Sequence, residues 1–229
     1  MNETQPHHVV VRSIERAERR VVDGLGALGT ATVHEAIGRR GFAGPQFRPI
    51  QPGARLAGSA VTVSCHPGDN LMVHAAVEVC QEGDIVVITH IAPSSHGGFG
   101  ELLGTTFMAR GVRAMVTDAG VRDTAELRAM GFAAWSPHIS CQGTIKASPG
   151  SVNVPVVLGN QVVHPGDVVC ADDDGVVVVA REEAAWALDR SRERVANEEA
   201  TRARLAAGEL SLDIYGLRRI LEGLGVEYH

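Results

Sequence analysis

Apolar positions recur along this chain first at helical spacing, then in strand-like runs, then at helical spacing again. Ser13 opens a helical pattern through Ile14, Ala17, Val21, Val22 and Leu25, with the glycines at 24, 26 and 29 as its stop. Thr30 is expected to cap a second short helix reaching Ile37, and the Gly/Pro-rich segment 38–52 reads as an irregular crossing. Residues 56–65 alternate like a strand, and the turn Pro67-Gly-Asp-Asn70 leads into a helix from Leu71 to about Gln81. The middle third then reads as strand 83–89, glycine loop 97–100, helix 101–110, strand 112–117 and helix 124–130. Alternating strands and helices predict parallel or mixed α/β pairing. After Phe132 short β-like pieces follow at 152–158, 162–163 and 167–171, and Asp172-Asp-Asp-Gly175 turns into the run 176–180. A long charged helix is expected over 181–207 and a shorter one over 212–224. The long helix has only a thin apolar stripe, Ala184, Ala185, Leu188, Val195, Ala203 and Leu205, which suits packing on a neighbouring subunit.

Composition narrows the class. The 229 residues suit one domain, 1–229, with a core over about 13–180 and a helical extension over about 181–229. Hydrophobic residues make up 45% and aromatics 4%, so Val, Ala, Leu and Ile must fill the core. A net charge of −6 argues against a nucleic-acid or anionic-membrane partner. No apolar run approaches the roughly 20 residues of a membrane helix. Residues 1–8 have neither the basic start nor the apolar stretch of a signal peptide, and Cys65, Cys80, Cys141 and Cys170 lack paired zinc-site spacing. A reduced cytoplasmic protein is the expectation.

Two stretches are candidates for chemistry. Gly97-Gly-Phe-Gly-Glu-Leu-Leu-Gly104 places glycines ahead of a helix whose free N–H groups suit a small carboxylate, though a flexible connection would look the same. No Lys-Ser/Thr follows, so a nucleotide phosphate loop is excluded. Arg122 and Asp123, at a strand exit, offer a fixed cation beside a hard oxygen ligand. Alternatively, Asp123-x-x-Glu126 is a capping box and Arg122 a surface partner. Asp172-Asp-Asp174 looks like a metal cluster, but turns favour these residues for backbone reasons. His90 and His96 lie near the glycine loop. Ser94-Ser95 lacks a nucleophile elbow, and no His-Glu-x-x-His or dinucleotide motif is present.

Order and spacing then carry a resemblance. Gly100-Glu-Leu-Leu103 stands about twenty residues before Gly120-Val-Arg-Asp123. Ser140-x-Gln-Gly-Thr-x-Lys146, Gly150-Ser-Val-Asn-Val-Pro155, Pro165-Gly-Asp-Val168, Arg204-Leu-Ala-Ala-Gly-Glu-Leu210 and Asp213-x-Tyr215-Gly216 follow. From about residue 10 to the end the chain resembles the class II pyruvate aldolases related to the regulator of ribonuclease activity A, the 4-hydroxy-4-methyl-2-oxoglutarate/4-carboxy-4-hydroxy-2-oxoadipate aldolases. The resemblance implies an α/β fold of swivelling β/β/α type with mixed sheets, flanked by N-terminal and long C-terminal helices. It implies trimers or hexamers with the site between subunits, a Mg²⁺ or Mn²⁺ cofactor, and pyruvate-releasing retro-aldol cleavage in aromatic-acid catabolism, with oxaloacetate decarboxylation on the side. By position, Gly100, Glu101, Leu102 and Leu103 hold the pyruvyl carboxylate and Arg122 contacts the oxo group. Asp123 holds the metal directly; Glu101 and an adjacent subunit's Glu198 or Glu199, with a lean to Glu198, meet it through water.

The chemistry agrees with that assignment. Retro-aldol cleavage leaves an enolate, whose oxyanion a hard cation and Arg122 would stabilise. Lys146 is the only lysine and lies in the later β region, which disfavours a Schiff-base mechanism. Arg39, Arg40, Arg48 and His96 are candidates for the distal carboxylates. The rival readings are a ribonuclease-binding regulator of the same fold and an enzyme that is mainly an oxaloacetate decarboxylase.

Overall fold

Runs of Val, Ile and Ala buried on both sides build a curled sheet in the computed structural model, which describes residues 8–229. Residues 1–7, most of the stretch on which the leader expectation rests, lie outside the described residues. The chain forms α1 (Arg19–Leu28), α2 (Thr30–Ala36), β1 (Arg48–Pro49), β2 (Leu56–Cys65), α3 (Leu71–Ala76), β3 (Asp84–His90) and β4 (Gly97–Phe99). There follow α4 (Glu101–Ala109), β5 (Ala114–Thr117), β6 (Gly120–Val121), α5 (Thr124–Ala129), β7 (Ala133–Ser136), β8 (His138–Ile139) and β9 (Ser151–Val152). The C-terminal third holds β10 (Val156–Leu158), β11 (Gln161–Val163), β12 (Val168–Asp172), β13 (Gly175–Val179), α6 (Ala184–Ala206), α7 (Ser211–Ile214) and α8 (Arg218–Gly223).

The main sheet runs β1-β7-β5-β3-β2-β12-β13, with β9 on the free end of β2. Its centre, β2-β3-β5-β7, is parallel and its flanks are antiparallel. The crossing segment nearly closes it: Phe42 bridges Val177 of β13 while Arg48 and Pro49 pair with β7. This is a mixed α/β domain with a nearly closed sheet and a long C-terminal helix.

Alternation along each strand sorts the core into an inside and two outsides. Ala60, Ile85, Val87, Ala114, Val116, Trp135, Val169 and Val178 fill the interior. There the Trp135 indole N–H donates to the Asp172 carbonyl at 2.8 Å, across the curl. The opposite faces of the parallel strands meet α3, α4 and α5 through Met72, Val73, Leu103, Phe107 and Leu127. Ala57, Val168, Cys170, Val177 and Val179 meet α1, α2 and α6.

Several sequence expectations shift. The first helix starts at Arg19, not Ser13, because the preceding segment is held extended: Val10 bridges Val152, and Arg16 pairs with buried Asp84 through contacts of 2.8 and 2.9 Å. Gly24 and Gly26 do not stop α1. A Cβ there would meet Leu188 and the Ala57 nitrogen at 2.8 and 2.7 Å, so glycine allows close packing. Thr30 begins α2 without capping it, since its hydroxyl donates to Asp172 at 2.5 Å. The third helix ends at Ala76, the 97–100 stretch is largely strand β4, and the last expected helix is two short ones, α7 and α8.

Candidate functional site

Small strands set the site. At the C-terminal ends of the parallel strands, β4, β6 and β8 form a separate three-stranded parallel sheet, where α/β proteins place ligands. β4 runs into α4 and β6 runs into α5, so both helix N-termini open at one corner. The Arg122 N–H donates to the Phe99 carbonyl at 2.9 Å and fixes the two strand ends together.

At that corner Asp123 adopts the left-handed conformation, with φ 51° and ψ 40°. Its side chain makes no capping bond to α5, so the capping-box reading is not realised. Instead Oδ2 accepts the Glu101 N–H at 3.1 Å and lies 3.6 Å from Arg122 Nε. A Cβ at Gly100 would collide with that carboxylate, which is why glycine precedes α4. Among the described residues Oδ1 takes no hydrogen bond, and the Leu102 and Leu103 N–H groups have no acceptor outside their helix. The Glu101 carboxylate accepts the Thr105 hydroxyl at 2.9 Å. The corner is an open shelf: the Arg122 and Asp123 side chains are 45% and 42% exposed, and Leu102 is 77% exposed.

The donor set decides which metal could sit here. Among the described residues no three His, Cys, Asp or Glu side chains gather at one point. A zinc cage is therefore not built by a single chain, whereas one open carboxylate suits a hard cation that keeps most of its waters. Asp123 meets that requirement. The Asp172–Asp174 stretch does not: Asp172 is buried and accepts Thr30 and Asp174 N–H groups at 2.9 and 3.0 Å, and Asp173 accepts from Gly53.

A family model described as Aldolase/RraA, RraA-like, matches residues 30–178. The chain belongs to the RraA-like family. A relative from Halalkalibacterium halodurans named “Putative 4-hydroxy-4-methyl-2-oxoglutarate aldolase” is 24% identical over 207 residues, covering 88% of this chain and 96% of its own. A Burkholderia multivorans protein of the same name is 37% identical over 138 residues, 59% of this chain and 82% of its own. The crystal structure of Streptomyces coelicolor RraAS2, described as an unusual member of the RNase ES inhibitor RraA family, superposes with a TM-score of 0.74 at 28% identity. That match covers 83% of this chain and 99% of the other.

Within one RraA-like chain the sequence candidates separate into two groups. Gly100 to Leu103, Arg122 and Asp123 come together. Glu198 and Glu199 stand on α6, which packs on α1 and α2; they pair with Arg194 and Arg202. Arg39 and Arg40 follow α2 and pair with Glu35 and Glu183. Arg48 and His96 share the corner's end of the fold: Arg48 pairs with Ser136 at the end of β7, and the His96 carbonyl accepts the Gly120 N–H at 2.9 Å. The His90 side chain is buried at the end of β3, where its Nδ1 lies 2.6 Å from Asp118.

Two features were missed in the sequence. One is this His90–Asp118 pair, which ties β3 to the turn before β6. The other is Asp69, a turn residue by sequence, which is 2% exposed and accepts three main-chain N–H groups at 2.7–2.8 Å. An acid flanked by Pro67 and Gly68 gives no signal for partners 78 and 79 residues away. Burial also pushes the Cys65, Cys80 and Cys170 thiols up to about 12, so they are inert at neutral pH; Cys141 is exposed.

Proposed function

We propose that this chain is a carbon–carbon lyase that cleaves 4-carboxy-4-hydroxy-2-oxoadipate to pyruvate and oxaloacetate, and 4-hydroxy-4-methyl-2-oxoglutarate to two pyruvates. The carrying observation is the corner, where a guanidinium, an open carboxylate oxygen and two unpaired N–H groups meet. The relatives' printed names support the same reaction class.

The Leu102 and Leu103 N–H groups receive the C1 carboxylate at the positive end of α4. Arg122 donates hydrogen bonds to the 2-oxo oxygen. As the C3–C4 bond breaks, its electron pair moves toward that oxygen, and the fixed guanidinium stabilises the charge that develops. Glu101, held by Thr105, is placed to take the 4-hydroxyl proton through water and to return one to C3 of the pyruvyl half. A Mg²⁺ or Mn²⁺ ion held by Asp123, with Glu101 and a neighbouring subunit's Glu198 or Glu199 behind water, would supply Lewis-acid polarisation of the 2-oxo group. Oxaloacetate decarboxylation reaches the same pyruvate enolate, so Arg122 serves both reactions.

The reading includes a trimer or hexamer. No residue beyond Ser191 is buried, while Leu210, Tyr215, Ile220, Leu224 and Tyr228 are exposed, which supports a second copy that covers this tail and receives a glutamate at its corner. The likeness to RraAS2 supports the regulator as the second reading. Replacing Arg122 by Ala separates the two. The enzyme loses about 100-fold or more in kcat, with Tm within about 2 °C of the parent because the pair is half-exposed. A variant with full turnover would remove Arg122 from the mechanism.

A further inference from the structure

Residues 140–148 run along the corner as an irregular strand of chain. Ser140 N–H donates to the Val121 carbonyl at 2.9 Å, and the Gln142 carbonyl accepts the Gly97 N–H at 2.8 Å. A Cβ on Gly143 would lie 3.5 Å from Arg122 Nη1, and a Cβ on Gly98 would lie 3.7 Å from Thr144 Cγ2. This segment therefore flanks the guanidinium end of Arg122 and the glycine strand ahead of α4. It has no regular secondary structure beyond single bridges, and Cys141, Gln142, Gly143, Ile145 and Lys146 are exposed. Those two bonds tie its near end, and a second set ties its far end. Ile145 bridges Asp69, with N–H to carbonyl bonds of 2.9 and 3.1 Å to Gly68 and from Asn70. Asp69 Oδ2 then accepts both the Ala147 and Ser148 N–H groups, at 2.8 and 2.7 Å.

We propose that Asp69 is a positioning residue that holds the 140–148 segment as the substrate-facing wall beside Arg122. The inference rests on the lyase reading. A carboxylate is the side chain suited to this task, because one oxygen takes two diverging N–H groups while the other takes the Leu71 N–H at 2.8 Å. Arg122, Asp123 and Gly100 are fixed separately, through the Arg122 to Phe99 bond and the β4–β6 pairing. Loosening the wall therefore weakens substrate binding more than it disturbs the reacting groups.

The test uses the full chain with two variants. Asp69→Asn weakens all three contacts. Ala147→Pro removes one donor from the segment and leaves the Leu71 contact of α3 intact. For both, KM rises about tenfold with kcat within about threefold, and amide exchange measured by mass spectrometry speeds up in 140–148. In Ala147→Pro the exchange of α3 stays as in the parent. Unchanged KM in both variants, or unchanged exchange in 140–148, overturns the proposal; so does a loss confined to Tm and α3 exchange, which would make Asp69 only a helix cap. The exchange readout does not depend on activity, and an inactive parent protein would count against the lyase reading instead.

Discussion

Asp123 holds a backbone conformation that most side chains avoid, and nothing in capping α5 requires it. The left-handed turn aims the carboxylate back at α4, where it meets Glu101 N–H and Arg122. Asparagine tolerates the same conformation, so Asp123→Asn is expected to keep the fold and remove the carboxylate proposed to hold the metal. Its Tm is expected within about 3 °C of the parent, and its turnover falls about 100-fold or more. Retained turnover would exclude Asp123 as the ligand. Arg122 and Asp123 were legible because two opposite charges stood together at a strand exit. The left-handed turn was not, since no local pattern distinguishes it from an ordinary helix start.

At the scale of elements, the long apolar strands were read correctly because burial on both faces demands β-branched runs. The short strands β4, β6 and β8 were not, because two or three residues carry no period. The start of α1 was misplaced because Arg16 and Asp84, 68 residues apart, decide it. Asp69 is under the same non-local control, through Ala147 and Ser148. Burial disfavours its charge, yet the main-chain donors from Leu71, Ala147 and Ser148 hold its carboxyl below the ordinary value of 3.8. A folded-state value below the unfolded one contributes stability that is complete above 3.8 and lost as pH falls through the folded value. The parent is therefore more stable than Asp69→Asn at pH 7, and the gap narrows as thermal melts are taken below pH 3.8. A gap independent of pH would show that the carboxylate charge is not what holds the segment.

For the whole molecule, the hydrophobic clusters of the sheet and its two helical coats end at Leu188, and no residue after Ser191 is buried. No helix among the described residues is long and apolar enough to cross a membrane. A second copy is the cover proposed for the exposed Leu210, Tyr215, Ile220 and Leu224. Deleting residues 209–229 removes α7 and α8 and should leave the melt close to the parent's while the number of subunits per particle, from light scattering, falls. An unchanged subunit number would place the subunit contact elsewhere. Pyruvate release is the immediate readout of the proposed cleavage. It is followed through lactate dehydrogenase from 4-carboxy-4-hydroxy-2-oxoadipate and from oxaloacetate, with Mg²⁺ and with chelator. Release from the first substrate is expected to exceed release from oxaloacetate and to stop when the metal is removed. Release from oxaloacetate alone would make the protein a decarboxylase, turnover unaffected by chelator would contradict the role given to Asp123, and no release from either would favour the regulator.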